Sequence, residues 1–270
     1  MADRRLVEKQ IARDRHIARL TLNRPEKKNA LSNALMAMLI EDLKEIAADP
    51  EIKAIVLDAA GDTFCSGLDL YDLRERSRGT QRWGQGGSTP EIVHLLRTAP
   101  QITIAAVQGY CLGGGLVLVN GCDLAVAAET AKLGMPEILR GSYGAVATPT
   151  LFKAGLPNKT AFRIQLTGAN LSGAEALACG LVSHVVPDAE LGRAVDALAA
   201  EIATRHPVTL AHAKIAAYSA RDLPFDQAMQ VDELVSHRMR YYMDPLSDVE
   251  GYLKSQRGGG SLGYKRPDVE

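Results

Sequence analysis

The chain has 270 residues, 46% of them hydrophobic and 23% charged, enough to bury one large core or two small ones. Its 31 lysines and arginines against 32 aspartates and glutamates leave a net charge of -1, so no basic excess exists to meet the phosphates of a nucleic acid or an anionic membrane surface. The four cysteines, Cys65, Cys111, Cys122 and Cys179, stand far apart with no C-x-x-C pair, which argues against a zinc knuckle or a disulfide framework and fits a reducing cytoplasm.

The amino terminus mixes charged with apolar residues, and no uncharged apolar run reaches membrane-spanning length, so neither secretion nor membrane insertion is expected. From Val7 to Leu22 the residues alternate until Asn23-Arg24-Pro25, the pattern of a strand or hairpin ending in a turn. Ser32 then reads as an N-cap for a helix with Leu35, Leu39, Leu43 and Ile46 on one face. Two continuous apolar runs, Ala54-Ile55-Val56-Leu57 and residues 102–107, read as strands buried on both faces and joined by helices in parallel βαβ fashion. The polar, glycine-rich stretch Ser77 to Thr89 is too long for a simple connection and reads as a flap. Past Val186-Pro187 the strand signals cease, and four helical patterns follow, punctuated by Pro207, Pro224 and Pro245. The ending, Gly258 to Pro267, cannot build a core and is expected either disordered or laid on a partner subunit.

Common phosphate and nucleophile motifs are missing. The run from Gly113 lacks the third glycine of G-x-G-x-x-G, no G-x-x-x-x-G-K-[ST] occurs, and Phe64 stands where a G-x-S-x-G elbow at Ser66 needs glycine. The six histidines show no paired metal-ligand spacing. What remains is two glycine-bearing turns, each after an expected buried strand: Phe64-Cys65-Ser66-Gly67-Leu68-Asp69-Leu70, and Gly109 to Gly115 leading into a short apolar helix. Glycine lets backbone N–H groups approach a ligand, and a helix N-terminus leaves such groups free, so two of these donors can hold a developing oxyanion.

These turns, together with Asn23-Arg24-Pro25, Asn29-Ala30-Leu31, Cys122-Asp123-Leu124 and Gly134-Met135-Pro136-Glu137-Ile138, resemble the crotonase superfamily, the enoyl-CoA hydratase/isomerase family, in order and spacing. Leu166-Thr167-Gly168, Ala174-Glu175-Ala176 and Gly180-Leu181-Val182 extend the resemblance over roughly residues 5 to 257. It implies an α/β fold: a spiral of ββα units over 1–190 carrying an acyl-CoA site, then a helical oligomerisation domain over 191–270. The implied oxyanion hole is the N–H groups of Leu68 and Gly114, and the implied acid/base is Glu137. The implied acyl pocket involves Val117, Tyr71, Tyr143 and Trp83. The resemblance places coenzyme A near Glu26, Lys27 and Lys28, with backbone contacts from Ser66 and Leu68. No metal or separate cofactor is expected, since coenzyme A is part of the substrate. A homotrimer or dimer of trimers is implied, and stripes such as Leu191, Val195, Leu198 and Ile202 are expected to be incompletely covered within one chain.

Two departures bear on the chemistry. Where two-glutamate hydratases carry a second carboxylate this chain has Val117, and their Pro-Gly step after the PEI segment is replaced by Gly141 to Val146. Hydration by a carboxylate pair is therefore in doubt, while chemistry needing one glutamate remains: double-bond isomerisation, or the reaction of hydroxycinnamoyl-CoA hydratase-lyases. That second group is also resembled, weakly, by Arg221 to Gln227 and Gly263-Tyr264-Lys265-Arg266. A catalytically silent acyl-CoA-binding regulator is the alternative from another class, since fold alone does not establish function.

Overall fold

The alternating amino-terminal segment folds as an antiparallel hairpin, β1 (Val7–Ala12) and β2 (Ile17–Leu22), with Val7 paired to Leu22. Helix α1 (Asn33–Ala47) starts where the Ser32 side chain accepts from Leu35 N; its Leu35, Leu39, Leu43 and Ile46 are buried. Strand β3 (Ala54–Ala59) leads through the first glycine turn to helix α2 (Leu70–Ser77). This computed structural model describes residues 5–77, 88–242 and 253. The expected flap lies almost wholly outside them, as do Trp83 and the glycine-rich ending.

Ser88 caps α3 (Thr89–Thr98) through Glu91 N. There follow β4 (Ile102–Val107), the short β5 (Tyr110–Leu112), helix α4 (Gly114–Gly121), β6 (Leu124–Ala128) and β7 (Lys132–Gly134). A 3-10 turn over Pro136–Arg140 precedes α5 (Ala147–Phe152), α6 (Asn158–Thr167), β8 (Leu171–Ser172), α7 (Gly173–Ala178) and β9 (His184–Val186). Three helices complete the described chain: α8 (Leu191–Ala203), α9 (Pro207–Asp222) and α10 (Phe225–Met239).

Six strands form one sheet in the order β1-β2-β3-β4-β6-β9, parallel beyond the first pair. The apolar runs of β3 and β4 lie in its middle and are buried on both faces, as strands with parallel neighbours must be. A smaller sheet, β5-β7-β8, stands apart from it.

The chain divides into two compact units, Met1–Lys214 and Ile215–Glu270. In the first, α8 packs on β3, β4 and β6. Its Leu191, Val195 and Ala199 join the core, and Leu198 and Ile202 pack against it. The expectation for that stripe is met in part: Leu191 and Val195 are buried by the chain's own sheet, while Leu198 and Ile202 stay half-buried. Among the described residues no helix is long and apolar enough to cross a membrane, and no cluster of histidine, cysteine and carboxylate side chains is arranged to hold a metal.

Candidate active site

The two glycine turns meet because short stretches of backbone lace them together. Cys65 N donates to Tyr110 O at 3.0 Å and Leu112 N to Cys65 O at 2.9 Å, while Leu31 N donates to Gly67 O at 2.8 Å and Asp69 N to Leu31 O at 3.0 Å. The last two bonds fix the peptides on either side of Leu68. The Leu68 amide itself has no acceptor among the described residues, and neither has Gly114 N, the first amide of α4.

A methyl group built on Gly114 would lie 3.4 Å from Leu68 N, and one on Gly67 would lie 3.6 Å from Gly114 N. The two amides therefore border one small space. Gly67, with φ of +104°, holds a backbone conformation that side-chain-bearing residues rarely adopt.

Glu137 reaches this place through the small sheet. Leu112 pairs with Gly134, and Gly113 N donates to Gly134 O at 2.9 Å, so the turn after β7 lies beside the start of α4. No side-chain cap bond ties Glu137 to its own turn. Its carboxyl instead covers Gly113, where a methyl group would overlap Oε1 and stand 3.3 Å from Cδ. On the other side, a methyl on Gly144 would stand 3.8 Å from the same Cδ. The segment that replaces the Pro-Gly step thus supplies a glycine against the carboxyl. Glu137 Oε2 is closed off from solvent and has no hydrogen-bond partner.

Val117 is buried one turn into α4. Tyr71, at the start of α2, and Tyr143, just before Gly144, are both largely exposed, and Trp83 lies outside the described residues. Cys65 and Cys111 are fully buried bridge partners. Burial pushes the Cys65 thiol up to about 12 and that of Cys111 well above its usual value, so both are packed side chains rather than nucleophiles.

The residues expected to meet coenzyme A are less concentrated. Glu26 and Lys27 sit exposed in a 3-10 turn over Pro25–Lys27. Lys28 donates to both carboxylate oxygens of Asp62 at 2.8 Å, and its carbonyl accepts from Ser66 N at 3.0 Å. That last bond links the lysine turn to the oxyanion turn and commits the Ser66 amide.

The residues that brace the site include Asn29, Asp69 and Asp123, which the sequence marks as motif residues without showing their partners, and Lys214, which sequence reasoning missed. Asn29, buried with φ of +52°, accepts from Arg24 N and donates to Ala60 O and Thr63 O. Asp69 accepts from Arg24 Nη1 at 2.6 Å and from Tyr71 N at 2.9 Å. Lys214, buried on α9, donates to Leu96 O and Gln101 O and pairs with Asp123 at 2.8 Å. A lysine inside an apolar helical pattern was the one available signal for it.

The enoyl-CoA hydratase/isomerase family model matches residues 12–243. The (E)-benzylidenesuccinyl-CoA hydratase of Thauera aromatica is 32% identical, covering 82% of this chain and 86% of its own. The 2,3-dehydroadipyl-CoA hydratase of Escherichia coli is 34% identical over 91% of this chain and 95% of its own. A crystal structure of enoyl-CoA hydratase from Mycobacterium smegmatis superposes with a TM-score of 0.85 at 28% identity, covering 93% of this chain and 97% of that one. The fold is therefore the α/β crotonase-like spiral with its helical carboxy-terminal region. By sequence and fold together, the chain belongs to the enoyl-CoA hydratase/isomerase family.

Proposed function

We propose that this enzyme binds an unsaturated or enolisable acyl-CoA, holds the thioester oxygen on the N–H groups of Leu68 and Gly114, and uses Glu137 as its one carboxylate acid/base. The observation that carries this reading is the Glu137 carboxyl lodged over Gly113, the residue next to the Gly114 amide, with Oε2 buried and unpartnered. The two named hydratase relatives, whose substrates are CoA thioesters, support the substrate class. So does the turn chemistry, since donors aimed at an oxyanion stabilise an enolate as it forms.

One glutamate suffices for the proton balance. In isomerisation Glu137 takes a proton from C2, the enolate charge rests on the thioester oxygen, and the same carboxyl returns the proton at C4. In hydration it takes a proton from water as the oxygen bonds to C3, then delivers that proton to C2. A lyase step would follow hydration: the C3 hydroxyl gives its proton to Glu137, C3 becomes a carbonyl as the C2–C3 bond breaks, the electron pair rests as the thioester enolate on the Leu68 and Gly114 N–H groups, and Glu137 returns the proton to C2. Val117 contributes packing and no second proton. The reading needs no cofactor beyond the coenzyme A of the substrate, with Glu26, Lys27 and Lys28 at its entrance.

Incubating the protein in D₂O with 2-enoyl, 3-enoyl and hydroxycinnamoyl thioesters tests this. Deuterium uptake or turnover is expected on at least one, reduced by two to four powers of ten, roughly, in Glu137→Gln, with thioester binding retained. Wild-type activity in Glu137→Gln would overturn the assignment; silence on the whole panel would favour the acyl-CoA-binding regulator.

A further inference from the structure

Helix α4 reads Gly-Gly-Leu-Val-Leu-Val-Asn-Gly, apolar throughout except at Asn120. Both polar atoms of that side chain, Nδ2 and Oδ1, are closed off from solvent, and neither has a hydrogen-bond partner. A buried primary amide left unmet at both ends is costly, and native structures keep few of them.

Its place on the helix says what it faces. Val117 N donates to Gly113 O at 3.1 Å, so Gly113 is the cap residue from which the helix starts. Val117 and Asn120 then stand three residues apart on one face of that helix. The Glu137 carboxyl covers the cap at Gly113, Val117 occupies the next turn, and Asn120 the one after, about 10 Å along the axis from the cap. The buried, unpartnered Glu137 Oε2 lies by the start of this apolar helix and the buried, unpartnered Asn120 amide toward its end.

We propose that Asn120 is a polar subsite at the far end of the acyl pocket and that the preferred acyl group carries a hydroxyl there. The proposal rests on the reading of the Glu137 site as an acyl-CoA site. A hydroxyl oxygen accepts from Nδ2 while its proton is donated to Oδ1, so one group meets both ends of the amide. A carboxylate would meet only the donor and would bring a charge against glycine, leucine and valine. A plain alkyl chain would meet neither. Val117 gives the intervening carbons a smooth wall, which a carboxylate at that position would not.

The test compares matched thioesters: ω-hydroxy-2-enoyl-CoA against the unsubstituted ester over a series of chain lengths, and p-hydroxycinnamoyl-CoA against cinnamoyl-CoA. Wild type is expected to favour the hydroxylated member of at least one pair by about ten-fold or more in kcat/KM, the scale of one buried amide gaining its partners. In Asn120→Leu that ratio should fall to near one, and Asn120→Ser, which keeps a group able to donate and accept, should retain part of it. Equal kcat/KM within every pair for wild type overturns the proposal whether or not the variants fold. A preference that survives in Asn120→Leu overturns it as well, because the discrimination then arises elsewhere. Calorimetric binding of the corresponding saturated thioesters reads the same ratio without turnover. Failure of the catalytic reading, seen as Glu137→Gln matching wild type, is thereby told apart from failure of this subsite.

Discussion

Asp69 joins two tasks at one residue. Its N–H donates to Leu31 O, which helps fix the Leu68 peptide, and its carboxylate pairs with Arg24 and accepts from Tyr71 N at the start of α2. Burial by itself raises the pKa of this carboxyl. The Arg24 hydrogen bond and charge, with the Tyr71 and Asp72 amides, outweigh burial and hold it below its ordinary 3.8. For a carboxyl depressed on folding, the stabilisation is present above the unfolded pKa and is lost as pH falls through the folded one. Asp69→Asn should therefore lower stability at neutral pH by about 2 kcal/mol, and the gap to wild type should shrink below about pH 4. Urea midpoints followed by circular dichroism across that range check this; a gap that persists unchanged in acid would refute the ion-pair account. The sequence shows Asp69 and Glu137 as motif residues, but it cannot show what they touch. The meeting of Glu137 with Gly113 depends on the pairing of Leu112 with Gly134, a long-range event with no local signal.

At the scale of elements, legibility follows length and period. Helix α1 announces itself by the Ser32 cap and its buried stripe, and β3 and β4 by runs too apolar for any place but the middle of a parallel sheet. Strands β5, β7 and β8 have two or three residues each, too few to show alternation, so the small sheet that carries Gly113 to Glu137 is invisible before folding. The end of α4 is held by another feature of this kind. Asp123 Oδ2 accepts from Thr103 N, Thr103 Oγ1 and Lys214, while Lys214 also serves the carbonyls that end α3 and begin β4. Burial lowers the pKa of Lys214, and the charge of Asp123 works against that. Lys214→Met takes the donor from two carbonyls and the cation from Asp123, so a loss of roughly 3–5 kcal/mol is expected. Chemical denaturation measures it. A loss below about 1 kcal/mol would show that the cluster is not fully desolvated.

For the whole molecule, the stripe on α8 that looked available for assembly is taken up in part by the chain's own core, with Leu191 and Val195 inside it and Leu198 and Ile202 half-buried at its edge. The amphipathic pattern was readable, but not which surface it meets, because a helix period reports a buried face without naming its cover. Apolar side chains are left in the open in both units, and in the second they include a set on one helix. On α10, Phe225, Met229 and Leu234 are 77%, 54% and 67% exposed. Phe225 and Met229 share one face of this 15-residue helix and Leu234 stands on the opposite side, and association is the usual way to cover such large apolar groups. The trimer or dimer of trimers implied by the family resemblance is accordingly expected to bury this helix between copies. Sedimentation velocity on the full chain should give a species of at least three protomers, and Phe225→Glu with Leu234→Glu should shift it to lighter forms while far-ultraviolet circular dichroism keeps its helical signal. A stable wild-type monomer at micromolar concentration would sink the expectation. A doubly substituted chain that sediments like wild type would place the interface on another face, since two new carboxylates cannot be buried between copies without a large desolvation cost.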